Sequence, residues 1–282
     1  MSLKLGYNTN GFEHHALDDA IEIIAEIGYQ SVAITLDVDQ LNPFGEDIEE
    51  ETRHVRRRLE KWGLSCVIET GARFLLDPLH KHEPTLISKD SEGRKRRVDF
   101  LERAVAIAAD LGADAVSFWS GRKPEGLPEI VAHECLVEGC RELGAHAVTR
   151  GVNLAFEPEP GMFIETMAQY DRLRAELESP LLGSILGLTL DVGHVHCIGD
   201  GDPAARIREF RDGLLNVHIE DMRRGVHEHL MFGEGEMRFE PIMAALREID
   251  YTGGVHVELS RHSKDAVAAA RKAFDFLSPM CE

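Results

Sequence analysis

Four residues able to hold a metal ion lie in the second half of the chain, each where a short apolar run ends. They are Glu157, Asp191, His218 and Glu258, and the runs before them read Leu-Ala-Phe, Leu-Thr-Leu, Leu-Asn-Val and Val-His-Val. Two like charges about 4 Å apart repel by about 4 kcal/mol at an effective dielectric constant near 20, so clustered carboxylates favour a bound cation. Oxygen ligands with one imidazole suit Mn²⁺, Mg²⁺ or Co²⁺ at least as well as Zn²⁺. Taken singly, each acid is more typical of a helix cap; together they predict one divalent metal ion.

A second group of histidines stands close to these runs in the sequence. His194 follows Asp191 in the segment Asp-Val-Gly-His, and His227 and His229 lie in the segment Val-His-Glu-His-Leu. We interpret His194 and His229 as substrate-binding residues or as groups that support the metal ligands. The alternative is a second metal ion at His194, His227 and His229, although His227 alone is more typical of a solvated loop.

The elements that must position these residues follow a regular alternation. Strands are predicted at residues 3–7, 31–36, 65–69, 115–119, 153–157, 186–191, 214–219 and 254–259, and helices at 17–27, 47–62, 94–111, 128–150, 163–178, 203–212, 239–249 and 265–277. Helix–Gly–strand junctions recur at Gly28, Gly63, Gly112 and Gly151. Eight alternations predict an α/β protein with a (β/α)8 TIM barrel in a single domain, residues 1–282. An open doubly wound sheet is the rival, but no G-x-G-x-x-G turn follows the first strand.

In such a barrel the carboxyl ends of all strands open onto one face, which holds the active site. The four candidate ligands fall on strands five to eight, which are neighbours around the ring. One insertion interrupts the alternation at about residues 71–93, after strand three, where the sequence is polar and carries Pro78 and Pro84. A loop of this length typically acts as a lid or binding loop.

Composition excludes several classes of partner. Lys and Arg number 31 and Asp and Glu number 50, which gives a formal net charge of −19. Nucleic-acid binding depends on phosphate neutralisation by basic residues, so we expect no nucleic acid and no anionic membrane as partner. The five cysteines form no C-x-x-C pair, and no apolar stretch reaches the roughly 18 residues of a membrane helix. These features, with an N-terminus that lacks a signal pattern, predict a cytoplasmic protein with reduced thiols.

The motifs at these strand ends resemble the xylose isomerase-like TIM-barrel superfamily, in particular its sugar and sugar-phosphate isomerase/epimerase branch. The resemblance covers nearly the whole chain, and it rests on the segments Phe156–Pro158, Leu190–His194, Val217–Asp221, His229–Gly235 with Phe239, and Val257–Glu258. It implies Glu157, Asp191, His218 and Glu258 as ligands of one divalent ion (Mn, Mg, Co or Zn), with Glu157 and Glu258 also the catalytic acid/base pair. It implies substrate-binding roles for His194, Glu159 and a basic residue after strand seven, Arg223 or Arg224. Because barrels of this family often pair, it allows a homodimer.

The reaction implied by the resemblance is isomerisation or epimerisation of a small-molecule carbohydrate, by proton transfer through a metal-stabilised enediolate. Trp119, Phe118 and Phe74 are candidate walls of the pocket, and Arg73, Arg122 and Arg223 are candidate binders of a phosphate or carboxylate. The alternative is a metal-dependent dehydratase of an inosose- or dehydroshikimate-like substrate. A phosphodiester hydrolase similar to endonuclease IV ranks third, since that pattern needs a histidine at strand four, where this chain has Phe118 and Trp119. A non-catalytic sugar-binding barrel ranks fourth.

Overall fold

The computed structural model describes residues 2–178 and 186–282. Eight parallel strands close into a barrel in the order β1-β10-β7-β6-β5-β4-β3-β2. These strands are β1 (Lys4–Asn8), β2 (Ser31–Thr35), β3 (Ser65–Glu69), β4 (Val116–Phe118), β5 (Leu154–Phe156), β6 (Leu186–Asp191), β7 (Leu214–Ile219) and β10 (Gly254–Val257). Two further strands, β8 (Asp221–Arg223) and β9 (Val226–Leu230), pair antiparallel as a hairpin after β7. The predicted TIM barrel is therefore confirmed.

Helices surround the barrel. They are α1 (Leu17–Ile27), α2 (Ile48–Trp62), α3 (Ser91–Leu111), α4 (Glu129–Arg150), α5 (Met167–Leu177), α6 (Val192–Ile198), α7 (Pro203–Glu209), α8 (Phe239–Glu248) and α9 (Ala266–Leu277). The first four end at the predicted glycines, each of which has a left-handed backbone. Apolar residues of the strands and helices, such as Ile34 and Ile24, form one buried core. Across the two described ranges, none of the helices is both long enough and apolar enough to cross a membrane.

Local capping explains where the helices depart from the predicted limits. Helix α3 begins three residues earlier than predicted, because the side chain of Asp90 accepts a hydrogen bond from the Gly93 amide at 2.6 Å. Helix α5 begins at Met167 rather than at residue 163, because Thr166 and Gln169 form a capping box. Helix α6 and the β8–β9 hairpin were not predicted at all, and both prove important for the site.

The interior of the barrel is polar beneath its open end. Thr189 on β6 donates a hydrogen bond to Ser117 on β4 at 2.9 Å, and Asn216 on β7 donates one to Glu69 on β3 at 3.0 Å. These pairs join strands that are not neighbours in the barrel, so their side chains must point toward its axis. All four residues are buried. A network of buried polar groups therefore supports the site from below, and its members have hydrogen-bonding partners, as burial requires.

Candidate active site

The four predicted ligands meet at the open end of the barrel. Glu157 follows β5 directly, Asp191 is the last residue of β6, His218 lies in β7, and Glu258 follows β10 directly. These four strands are neighbours around the ring. One side-chain ligand atom from each residue lies within 4.8 Å of the others. We call these four residues the carboxylate cluster.

His218 is the centre of the carboxylate cluster. Its Nδ1 atom lies 3.2 Å from Glu157 Oε1 and 3.0 Å from Glu258 Oε2. Its other ring nitrogen, Nε2, lies 2.8 Å from Oε1 of Glu69, the last residue of β3. The imidazole therefore contacts two carboxylates through Nδ1 and a third carboxylate through Nε2.

This arrangement shifts the pKa values of its members in opposite directions. Burial raises the pKa of Glu157 to about 8, against the influence of His218. Burial also opposes ionisation of Glu258, but the charge and hydrogen bond of His218 hold its pKa below the ordinary value. The pKa of His218 is raised well above its ordinary value, because Glu69, Glu258 and Glu157 outweigh the burial that disfavours its charge. The two glutamates that contact His218 therefore differ in how readily they ionise.

The donor set fits a divalent metal ion. Within the described residues, Asp191 Oδ2 is a buried oxygen without a hydrogen-bonding partner, whereas Oδ1 accepts the His194 amide at 2.8 Å and caps α6. A buried carboxylate oxygen left free in this way is costly unless a cation or water binds it. Three carboxylates and one imidazole match the preference of Mn²⁺ and related ions, and Zn²⁺ also accepts such ligands.

Three of the other histidines form a second group beside the carboxylate cluster. His194 on α6 lies with its Nε2 atom 2.9 Å from Nε2 of His227, and the latter lies 3.4 Å from Nε2 of His229. His227 and His229 are half-buried and both belong to β9 of the hairpin. We call His194, His227 and His229 the histidine cluster. Its ligand atoms also lie within 4.8 Å of one another, so a cation could bind there.

The base of the hairpin is held by a buried carboxylate. Asp221 accepts hydrogen bonds from the amides of Gly233 and Gly235 at 2.9 Å each, and from that of Met237 at 3.1 Å. The segment Gly233–Gly235 thus has a structural role in the described chain, because its amides tie the return of the hairpin to β8.

A cavity of about 250 Å³ opens above both clusters. Eight of the predicted site residues line it, namely Trp119, Glu157, Glu159, His194, His218, His227, His229 and Glu258. The loop before α3, predicted to act on the site, contributes Gly71, Arg73, Lys81 and His82 to the lining. The volume and the polar lining suit a small hydrophilic molecule.

Several predicted residues do not reach this cavity. Arg223 is exposed outside the cavity lining, and its guanidinium donates to the backbone oxygen of Glu234 at 2.8 Å. Arg122 is likewise exposed outside the lining. Arg73, the third arginine considered, does line the cavity, together with Lys81 and Arg261.

The predicted aromatic walls are also only partly in place. Trp119 lines the cavity, with its ring 5.6 Å from that of His82 and the Arg97 guanidinium 5.0 Å from its centroid. Phe118 packs against Phe156 in the core at 5.2 Å, and Phe74 is 48% exposed.

Sequence reasoning missed three residues that shape the site. Glu69 ends an apolar strand just as the predicted ligands do, and that signal was available. Asn10 donates to Glu258 Oε1 at 2.7 Å from a short 3-10 helix after β1, where no pattern announces it. Glu220 is fully buried, and neither carboxyl oxygen has a hydrogen-bonding partner in the part of the chain described. With Asp191 and His229 it forms a third group of potential cation ligands.

Comparison with known proteins places the chain in a family. The family model described as xylose isomerase-like TIM barrel matches residues 21–280, so the chain belongs to that family. An inosose dehydratase of Geobacillus kaustophilus is 24% identical over 271 residues, covering 87% of this chain and 80% of the relative. An L-ribulose-5-phosphate 3-epimerase of Shigella flexneri is 24% identical over 219 residues, covering 76% of this chain and 74% of the relative. The crystal structure of the IolI protein with a bound zinc atom has a TM-score of 0.77, with 18% identity and coverage of 99% of both chains.

Proposed function

We propose that the protein is an enzyme, a divalent-metal-dependent isomerase or epimerase of a sugar, sugar phosphate or related polyol ketone. The observation that carries the proposal is the pair of glutamates on either side of His218. Glu157 and Glu258 come from different strands, both contact Nδ1 of His218, and their pKa values are shifted in opposite directions. Two carboxyl groups with separated pKa values are what stereochemical inversion by proton transfer requires.

In this mechanism Glu258 is ionised and removes the proton from the carbon beside the carbonyl. Asn10, which donates to Glu258 Oε1, holds that carboxylate in place. Glu157, whose burial favours the protonated carboxyl group, delivers a proton to the opposite face of the same carbon, or to the neighbouring carbon. Delivery to the same carbon gives epimerisation, and delivery to the neighbouring carbon gives isomerisation.

Glu157, Asp191, His218 and Glu258 would hold the divalent ion, which we take to be Mn²⁺, Mg²⁺, Co²⁺ or Zn²⁺. When bound, the ion supplies a Lewis acid that polarises the substrate carbonyl and stabilises the negative charge that develops on its oxygen. The zinc in the IolI structure supports a metal in this fold. In this chain a bound metal ion is supported by the buried Oδ2 atom of Asp191, which has no hydrogen-bonding partner among the described residues.

The rest of the cavity would orient the carbohydrate. We assign His194, His229 and Glu159 to hydroxyl groups and Trp119 to the apolar face of the substrate, since all four line the cavity. Lys81 and Arg261 stand at exposed positions of the lining, where they can meet a phosphate or carboxylate. A second divalent ion in the histidine cluster is the competing assignment for His194, His227 and His229.

The second candidate function is a dehydratase. It is favoured by the inosose dehydratase relative, which matches most of this chain. The same base can remove the proton beside the carbonyl, and Glu157 can then protonate a departing β-hydroxyl group, so that water is lost.

Mass spectrometry in deuterated water separates the two reactions. We expect a ketose or polyol ketone from a substrate panel to gain one deuterium at the carbon beside the carbonyl, with no other change in mass. Loss of water from the product would replace the isomerase by the dehydratase. Binding of sugars without deuterium incorporation or product would contradict both and leave a sugar-binding barrel.

A further inference from the structure

Glu69 is a buried carboxylate that contacts the carboxylate cluster without belonging to it. It ends β3, on the side of the barrel opposite β7, and is 7% exposed. Its Oε1 atom lies 2.8 Å from Nε2 of His218, whereas Glu157 and Glu258 contact Nδ1 of the same ring. The two ring nitrogens therefore have different partners, and Glu69, which also lines the cavity, stands at Nε2.

A chain of buried polar groups leads to Glu69 from the far end of the barrel. Ser31 Oγ lies 2.9 Å from Nε2 of His256, and Nδ1 of His256 lies 2.8 Å from Oδ1 of Asn216. The amide of Asn216 then donates to Glu69 Oε1 at 3.0 Å. The ring of His256 fits there because Gly6 has no side chain: a Cβ atom at that position would lie 2.2 Å from it.

The hydrogen bonds from Ser31 to Glu69 can run in only one donor-to-acceptor order. The ring of His256 is fully buried and its two nitrogens contact uncharged groups, the Ser31 hydroxyl and the Asn216 amide, so the neutral ring with one donor and one acceptor nitrogen fits the site. Nδ1 must donate, because the amide oxygen of Asn216 only accepts, and Nε2 therefore accepts from Ser31. The Asn216 oxygen is then occupied, and its NH₂ group faces Glu69. The hydrogen bonds thus end on Glu69 as an acceptor.

The same logic decides the tautomer of His218. A carboxylate at 2.8 Å can only accept, so Nε2 of His218 must carry a proton. The Asn216 nitrogen lies 3.1 Å from Nε2 and would stabilise the opposite tautomer if Glu69 were absent. With Glu69 in place, Nδ1 is the nitrogen available to a metal ion.

We propose that Glu69 is a positioning residue that keeps Nε2 of His218 protonated and thereby presents Nδ1 to the metal ion, an inference that rests on the proposed function. A carboxylate that accepts from a ligating histidine fixes the ring orientation and raises its basicity, and loss of such a partner typically weakens metal binding about 10- to 100-fold. Glu69 acts through His218, since it contacts Nε2, whereas the proposed ligands Glu157 and Glu258 contact Nδ1.

Isothermal titration with Mn²⁺ tests the proposal. Glu69→Gln keeps the size of the side chain, but its NH₂ group can donate to Nε2 and so favours the wrong tautomer. We expect it to weaken Mn²⁺ binding about 10- to 100-fold. Ser117→Ala is the matched control, because it removes a buried hydrogen bond from the same barrel interior, whereas the hydrogen bonds of His218 and Glu69 stay in place. We expect the control to bind Mn²⁺ within about twofold of the wild type, by the small scale of such an indirect change.

Nitrogen-15 NMR of the Zn²⁺-loaded wild type gives a readout that needs no variant. We expect His218 to show a protonated Nε2 and a metal-bound Nδ1, and the reverse assignment overturns the proposal even if Glu69→Gln does not fold. Equal Mn²⁺ affinity of Glu69→Gln and the wild type also overturns it, while leaving the proposed function intact. A wild-type protein that binds neither Mn²⁺ nor Zn²⁺ overturns both.

Discussion

The carboxylate cluster and the histidine cluster lie side by side but are built in different ways. The first takes its residues from the ends of four neighbouring barrel strands, and Asp191 and His218 are 2% and 1% exposed. The second takes two of its three residues from β9, a strand outside the barrel, and both are half-buried. A closed sheet holds the first group rigidly, whereas the second can adapt to a ligand. The difference suits a reacting centre beside a recognition surface.

Their charges differ as well. In the carboxylate cluster, strong interactions shift the pKa values of Glu157 and Glu258 in opposite directions. In the histidine cluster, burial lowers the pKa of His194 to about 3 and also lowers that of His227. Those rings are therefore neutral at physiological pH and can exchange hydrogen bonds with hydroxyl groups. The comparison supports our proposal that the carboxylate cluster carries out catalysis and that the histidine cluster recognises the substrate.

The largest effects should come from the two glutamates. We expect Glu157→Gln and Glu258→Gln each to lower kcat by about 10²- to 10⁴-fold, the usual contribution of general acid–base catalysis. Circular dichroism should show a folded protein in both cases. Glu159→Gln, in the same cavity, is the comparison variant and should mainly raise KM. A fully active Glu157→Gln or Glu258→Gln would refute the assigned acid/base pair.

The next largest effect should come from removal of the metal ion, which we assign to the carboxylate cluster. We expect a chelator to abolish activity and to lower the unfolding temperature, with Mn²⁺ or Co²⁺ restoring both, because a bound ion stabilises only the folded state. In Asp191→Asn, which loses a ligand of the carboxylate cluster, the chelator should hardly change the unfolding temperature. A wild-type protein that is active and demonstrably free of metal would end the metal hypothesis.

A moderate effect is expected from the hairpin. His227→Gln should raise KM about fivefold, the scale of one lost hydrogen bond of about 1 kcal/mol, and should leave kcat nearly unchanged. Elemental analysis should find one ion per chain in both the wild type and this variant. If the wild type holds two ions and the variant one, the histidine cluster is a second metal site, and the division between the clusters fails.

The last prediction concerns stability in acid, away from both clusters' chemistry. The pKa of His256 is lowered to about 3 by burial, so the unfolded state binds more protons between pH 6.5 and 3. The free energy of unfolding is therefore full above pH 6.5, and it falls toward pH 3 by up to about 1.4 kcal/mol per pH unit from this residue. Chemical denaturation of His256→Gln at several pH values should show a shallower slope than the wild type. An unchanged slope would mean that His256 is not buried as a neutral ring.

The barrel could be predicted because its signals are local. A strand of apolar residues that ends in an acid or histidine is visible in the sequence, and barrel geometry then brings such ends together. Glu69 carries the same signal but was not singled out, because the sequence does not show which ends point toward the barrel axis. Its contact with His218 joins positions 149 residues apart.

The hairpin could not be predicted for a different reason. Strand β8 has only three residues, too few for a periodic pattern, and its register shifts between Asp221 and Arg223. That local geometry decides which side chains reach the cavity: His227 and His229 do, and Arg223 does not. Arg223 was expected at the cavity because it follows β7, but the hairpin places it outside the lining.

The anchoring of the hairpin by Asp221 has a practical consequence for altering substrate preference. Since its carboxylate secures the returning segment at Gly233, Gly235 and Met237, the intervening residues 223–231 form an insert with a fixed entry and exit. Variants in which this segment is replaced would change the part of the cavity lining that the hairpin supplies. The proposed catalytic residues lie on the barrel strands, so such variants could alter substrate preference and leave those residues in place.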